Sequence, residues 1–242
     1  MIQLEYIEGI ILKKINYKES SKIVYIYTET GLRSVLIHGS NKMKSPYLSL
    51  SKILNYVGLH VSGKDLLTLR DGDIIKRYPI SSNNLEKYTY LSHICEMIYN
   101  FSSHEHDHKK LLKFILKILD LVEENQNYIP YLNMVELKLL YLLGVNPIFK
   151  HCTSCENVDN LQFSVTEGGM CCPLHIKNPI NVSEAAISSL KELYYFDLSK
   201  QKISDIDPKI LQEIRFVLDR YYEYHLSFRS NSRKMLMGLI GY

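Results

Sequence analysis

Apolar and polar positions along the chain follow two rhythms, and the change between them falls near residue 80. Before Pro79 the apolar residues come in short β-branched or aromatic runs: Gly9–Leu12, Lys22–Thr28 and Arg33–His38. Runs of this kind, divided by turn-forming pairs such as Thr30-Gly31, are the pattern of short strands. Lys22–Tyr27 and Leu32–Ile37, joined through Thr28–Gly31, read as a hairpin. Ile53–His60, Leu66–Leu69 and, after Asp71-Gly72-Asp73, Ile74–Tyr78 extend the series to about five strands, enough for a small barrel.

After Ser81-Ser82-Asn83-Asn84 the period becomes helical. Tyr88, Leu91, Ile94, Cys95 and Ile98 recur at spacings of three and four, as do Leu111, Leu112, Ile115, Leu116 and Leu119. A further helix is predicted from about Tyr131 to Leu143, stopped by Gly144 with Pro147 beyond it. Another enters through Asn181 or Ser183 and runs to about Tyr195, and the last has Asp207 as N-cap with Pro208 at its first position. These rhythms divide the chain into a barrel over residues 1–80 and a helical domain over 81–242, interrupted at 149–178 by a cysteine-rich segment. The fold class is α+β and multidomain.

Composition narrows the class without choosing a function. With 242 residues, 46% of them hydrophobic and only 11 Gly and 7 Pro, the chain is long and apolar enough for a real core. No stretch approaches the ~18 uninterrupted apolar residues of a membrane span, and Glu5 and Glu8 replace the basic start of a secretory signal. A cytoplasmic protein without a membrane partner is expected. The net charge of +3 is small but uneven: 12 basic against 7 acidic residues up to residue 80 give +5 there, and −2 afterwards.

The strongest chemical signal is Cys152-Thr-Ser-Cys155 followed by Cys172-Pro-Leu-His175, with Gly168-Gly169 between them. Two tight turns of this kind present three thiolates and an imidazole tetrahedrally to one Zn²⁺. A four-ligand site has no open position, so the zinc is expected to be structural. Cys171 leaves a choice open, since Cys171 and His175 would form a CxxxH pair; the CxxH spacing favours Cys172. The competing reading is reduced cysteines packed as small apolar residues. His104-Glu-His106-Asp-His108 reads as a solvated loop ahead of a helix, because residues two apart do not converge on one metal, and Cys95 reads as core. No nucleophile motif, P-loop or HExxH is present, so no catalytic residue is nominated and a non-enzyme is expected.

The first 80 residues also interleave cations with aromatic rings. Tyr17, Tyr25, Tyr27, Tyr47 and Tyr56 accompany Lys13, Lys14, Lys18, Lys22, Arg33, Lys42 and Lys44. Single-stranded nucleic acid needs both, cations for phosphates and flat rings for bases, although tyrosines alternating in strands also serve as half-buried sheet. Gly39-Ser40-Asn41-Lys42-Met43-Lys44-Ser45 is a basic loop between strands, and Phe228–Lys234 is a second basic patch. Arg33, Lys42 and Lys44 are the first choices for phosphate contact, followed by Lys13, Lys14, Arg233 and Lys234.

Order and spacing of these features resemble one family over the whole length. Gly9-Ile-Ile-Leu, Tyr17-Lys18-Glu19-Ser20, Lys22-Ile23-Val24, Thr28-Glu-Thr-Gly31 and His38–Ser45 are similar to successive N-terminal segments of the RecO family of bacterial DNA repair proteins. Glu136-Leu-Lys-Leu-Leu, Gly144-x-x-Pro147, Cys152-x-x-Cys155 and Gly168-Gly169 resemble that family's most recognisable region. Two positions depart from the pattern: His38 stands where a basic residue precedes the loop glycine, and His175 where the last metal ligand is usually cysteine. The resemblance implies an OB-fold barrel followed by an all-helical domain holding a zinc ribbon. It implies a non-enzymatic recombination mediator that binds single- and double-stranded DNA, anneals complementary strands and helps load RecA onto DNA coated with single-strand-binding protein (SSB), together with RecR. The SSB C-terminal tail is the implied ligand of the helical domain, and a nucleoid-associated place in the cytoplasm follows. Two readings compete: a zinc-stabilised adaptor that binds protein rather than DNA, and a zinc-dependent hydrolase, which would need an open metal position.

Overall fold

The computed structural model describes residues 4–78, 84–104, 107–198, 203–232 and 235. The chain separates into two compact units, one formed by residues 1–123 with 230–242 and the other by 124–229.

Five strands close the barrel of the first unit in the order β1-β2-β3-β5-β4. They are β1 (Leu4–Tyr17), β2 (Ser21–Thr28), β3 (Gly31–Ile37), β4 (Tyr56–Ser62) and β5 (Leu66–Lys76). β3 and β5 pair in parallel and every other pair is antiparallel, which is the OB-fold arrangement. Closure depends on the length of β1. Its first half pairs with β4 from Leu4 to Ile10, its second with β2 from Gly9 to Tyr17, and a register shift between Ile11 and Lys13 bends it between the two. Gly9 lies in the overlap, where a Cβ would sit 2.4 Å from the Tyr27 carbonyl oxygen.

The barrel is filled from alternate positions of each strand: Ile7 and Ile11, Val24 and Ile26, Val35 and Ile37, Val57, Leu59 and Val61, Leu67 and Leu69. Leu50, from the short helix α1 (Tyr47–Leu50), joins the same core. One correction concerns Asp71-Gly72-Asp73, read from the sequence as a break between two runs. It lies inside β5, because a register shift opposite His60/Val61 turns Gly72 inward, where a Cβ would meet Leu59 at 2.5 Å.

Helices α2 (Leu85–Phe101) and α3 (His108–Glu124) follow the barrel. Asn84 caps α2 by accepting from the Lys87 N–H at 2.8 Å. The barrel and helices are pinned by Tyr27 Oη to His108 Nδ1 at 2.9 Å, by Lys109 to Glu29 at 2.8 Å, and by Lys76 and Tyr78, each donating to Asp120 at 2.7 Å. These two helices pack within the same compact unit as the barrel.

The second unit holds α4 (Ile129–Leu142), a two-stranded ribbon of β6 (Gln162–Ser164) and β7 (Gly169–Cys171), α5 (Glu184–Tyr195) and α6 (Pro208–Leu226). Ser183 and Asp207 cap α5 and α6 as their sequence positions predict, and Gly144 takes the left-handed conformation two residues beyond α4. α4 is buried on nearly all sides, and Glu136 on it is fully buried against Arg215 of α6. Among the described residues no helix is long and apolar enough to cross a membrane.

Candidate metal centre and nucleic-acid surface

The cysteine segment is folded by its own backbone. The Ile148–Gly169 bridge and the Thr153 N–H donating to the Met170 carbonyl hold the first turn beside β7. Within that turn the Ser154 N–H points at Cys152 Sγ at 3.5 Å. The second turn closes when the His175 N–H donates to the Cys172 carbonyl at 2.9 Å. Together they bring the ligand atoms of Cys152, Cys155, Cys172 and His175 within 4.8 Å of one another.

The separations fit a tetrahedral ion. Zinc bonds of ~2.3 Å to sulfur and ~2.0–2.1 Å to nitrogen give tetrahedral edges of roughly 3.8 Å between sulfurs and 3.6 Å between sulfur and nitrogen. Here Cys155 Sγ lies 3.9 Å from Cys172 Sγ, and His175 Nδ1 lies 3.6 Å from Cys152 Sγ and 3.3 Å from Cys172 Sγ. Burial alone would push the Cys152 thiol up, but backbone N–H groups of Cys172, Ser154 and Cys155 outweigh it and hold it down at about 6. Cys155 is pulled down by the Asn157 N–H, yet burial and the neighbouring sulfurs raise it overall. Crowding thiols in this way favours a divalent cation among them, since the cation removes the repulsion between thiolates. Cys171, fully buried, is not one of these four, and its Sγ lies 3.1 Å from Thr153 Oγ1.

Gly169 is the position on which this geometry most depends. At φ +154° a Cβ would lie 2.3 Å from the Ile148 carbonyl oxygen. Gly169→Ala is expected to cost on the order of 1–3 kcal/mol and to weaken metal retention at the ribbon. Urea unfolding and metal content per chain would show it, and a variant that holds metal as firmly as the parent would contradict the packing described.

The other histidine-rich run does not join a metal group among the described residues. His108 is taken by Tyr27, and His104 Nδ1 lies 3.2 Å from the Phe101 carbonyl. Cys95 is buried, which pushes its thiol up to about 12.

The basic residues of the barrel divide into two sets. Lys42 and Lys44 are exposed on the 39–45 loop, which Asn41 ties to the β1–β2 turn: its N–H donates to the Ser20 carbonyl at 2.9 Å and its amide to Asn16 Oδ1 at 3.3 Å. Lys18 sits in that turn at φ +52°, over the exposed Tyr17 ring at 5.4 Å, and Lys14 is exposed on the adjoining end of β1. Lys14, Lys18, Lys42 and Lys44 thus form one basic end. Lys18 was not among the sequence candidates, though its place beside Tyr17 in a strand-joining turn was the available signal.

Arg33, Lys13 and Lys22 are engaged elsewhere. Arg33 forms a two-armed ion pair with Glu5 at 3.0 and 2.9 Å. Lys13 lies over the Tyr99 ring at 4.1 Å, and Lys22 is buried, donating to the Ser40 carbonyl and Ser51 Oγ at 3.3 Å each. Burial, with Lys14 adding to it, lowers the Lys22 ammonium below its ordinary range. Arg233 and Lys234 lie outside the described residues. On the outward face of β1, β4 and β5 the charge is reversed: Glu8 accepts from Tyr6 and Tyr56, and Asp71 and Asp73 stand opposite His60 and Gly58. The exposed lysines and these carboxylates thus lie on different parts of the barrel surface.

Comparison with known proteins agrees with this architecture over nearly the whole chain. Residues 1–78 match the family described as Recombination protein O N terminal, and residues 82–234 match Recombination protein O C terminal. A DNA repair protein RecO of Bacillus pumilus (strain SAFR-032) is 29% identical over 235 residues, 95% of this chain and 92% of that protein. RecO of Bacillus cytotoxicus is 28% identical over 236 residues, 95% of each. Barrel, helical unit and cysteine ribbon, matched in order by both halves of one family, make this chain a member of the RecO family of DNA repair and recombination proteins.

Proposed function

We propose that the chain is a non-enzymatic recombination mediator: it binds single- and double-stranded DNA, anneals complementary strands, and with RecR helps load RecA onto SSB-coated DNA. The observation that carries this reading is the basic end of the barrel, where Lys14, Lys18, Lys42 and Lys44 share one surface beside the exposed ring of Tyr17. Annealing requires two polyanions to be held close together, and lysines do this by releasing the counterions of both. In this reading Cys152, Cys155, Cys172 and His175 hold a structural Zn²⁺, which supplies folding energy to the ribbon and takes no part in chemistry. The SSB tail, acidic and apolar, is assigned to the helical unit, and the site of action is the cytoplasmic nucleoid.

Changing Lys42 and Lys44 together to Ala is the direct test. Each lost contact to single-stranded DNA should lower the slope of log affinity against log salt by about 0.7, so the pair should lower it by roughly 1.4. Affinity should fall about equally for unrelated sequences, because phosphate contacts carry no base information. Fluorescence anisotropy on labelled oligonucleotides measures both, and an unchanged slope would refute the assignment.

A further inference from the structure

The second unit contains a groove of about 560 Å³ between the chain leaving the ribbon and the outer face of α6. That volume is within the range of pockets that hold small organic ligands. Ile180, Phe216, Arg220, Tyr224, Asn178 and Asn181 are among the residues that line it. Phe216 and Tyr224 are 41% and 58% exposed, large for aromatic side chains on a packed helix. The Arg220 guanidinium lies over the Phe216 ring at 4.6 Å.

Charge in the groove is not balanced. Glu223, the carboxylate in the lining, is engaged by Arg229, whose ion pair holds it below the usual carboxylate range. Arg220 adds to that effect on Glu223 only through space and forms no ion pair among the described residues, so its donors are open to an anion. Among the described residues the Asn178 side chain donates only a long bond, 3.5 Å, to Thr166 Oγ1. A primary amide carries a donor and an acceptor side by side and so matches the edge of any nucleobase.

We propose that this groove captures one unstacked nucleotide of a single strand, its base against the Phe216–Arg220 stack and Tyr224, its edge on Asn178 or Asn181, and its phosphate on Arg220. Flat rings, a guanidinium plane and amide edges together are the means by which proteins hold extruded bases. The proposal rests on the single-strand reading above and extends it to a second, base-contacting site in the helical unit. Such a site would hold one base out of its stack, as a contact to single strands additional to the basic end of the barrel.

The test is photocrosslinking of the full, metal-loaded chain to single-stranded oligonucleotides carrying one 5-iododeoxyuridine, with adducts located by peptide mass spectrometry and total binding followed by anisotropy. An adduct on Phe216 or Tyr224 is expected. Phe216→Ala should lower its yield about fivefold or more, the low end for loss of one base–aromatic stack. Arg220→Gln, a surface change that keeps Phe216, should lower it as well. If the oligonucleotide binds but its adducts fall only on the barrel, the groove proposal is overturned and the mediator reading stands. If a peptide with a free C-terminal carboxylate protects the groove and the oligonucleotide does not, the groove serves a protein partner and the proposal is overturned. If no oligonucleotide binds at low salt, the mediator reading fails and this proposal fails with it.

Discussion

Cys172→Ser is expected to release the metal and unfold the ribbon. Structural zinc in isolated finger domains contributes roughly 10–16 kcal/mol of apparent binding free energy, and that free energy is folding free energy. The ribbon has little else to hold it. β6 and β7 are three residues each, and the cluster beneath them consists of Cys152, Cys171 and Cys172 with Cys155, Leu161 and Ile176 at its edge. Bound zinc should fall from one ion per chain to none, and backbone amides of β6 and β7 should lose protection from hydrogen exchange while those of β2 and β3 keep theirs. Cys171→Ser is the contrasting variant. It removes a thiol that faces Thr153, so it should cost no more than about 1–3 kcal/mol and retain the metal. Metal loss in the Cys171 variant and retention in the Cys172 variant would reverse the assignment.

The second large effect is expected at Glu136 and Arg215. Glu136 is fully buried and Arg215 nearly so. Arg215 Nη1 donates to Glu136 Oε1 at 2.7 Å and Nη2 to Oε2, while Nε approaches Asp219 at 3.3 Å. Tyr222 adds a bond from its hydroxyl to the Glu136 carbonyl at 2.7 Å, joining α4 and α6 a second time. Removing one partner leaves the other charge buried, at a cost of about 3–5 kcal/mol. Arg215→Met should show a loss of that size in urea unfolding, and Glu136→Gln a smaller one, because Asp219 still faces Arg215 Nε at 3.3 Å. The double variant Glu136→Met with Arg215→Leu should recover most of it, because apolar residues of similar volume need no compensation there. Arg215→Met costing under about 1 kcal/mol would mean that water reaches the pair.

How much was legible in advance depended on whether a feature is local. Helix limits came from caps and stops within a few residues, so Ser183, Asp207 and Gly144 marked true ends. The hairpin of β2 and β3 was likewise a matter of adjacent residues. The length of β1 was not, because its first residues are strand only by pairing with β4, more than fifty positions later. For the same reason Asp71-Gly72-Asp73 resembled a turn: its strand character comes from Leu59, against which Gly72 is pressed.

The site divides along the same line. Spacing alone selected the four residues whose ligand atoms the fold brings together, with Cys172 rather than Cys171 among them. The charge count, in contrast, treated every cation of the barrel alike. Glu5 engages Arg33 across 28 positions, Lys13 lies over the Tyr99 ring, and Lys22 is buried and bonded to Ser40 and Ser51, none of which a one-dimensional pattern records. Glu136 stood out as part of a recognisable motif with no physical reason attached, and the reason is the buried pair with Arg215.

The most direct test of the DNA-mediator reading is fluorescence anisotropy of the metal-loaded chain on a labelled single-stranded oligonucleotide across a range of salt concentrations, with strand annealing followed in the same samples. Affinity should fall steeply as salt rises, and complementary strands should anneal faster with the protein present and without ATP. Absence of binding at low salt, or binding indifferent to salt, would contradict the assignment of DNA to the basic end of the barrel and leave a protein-binding adaptor in its place.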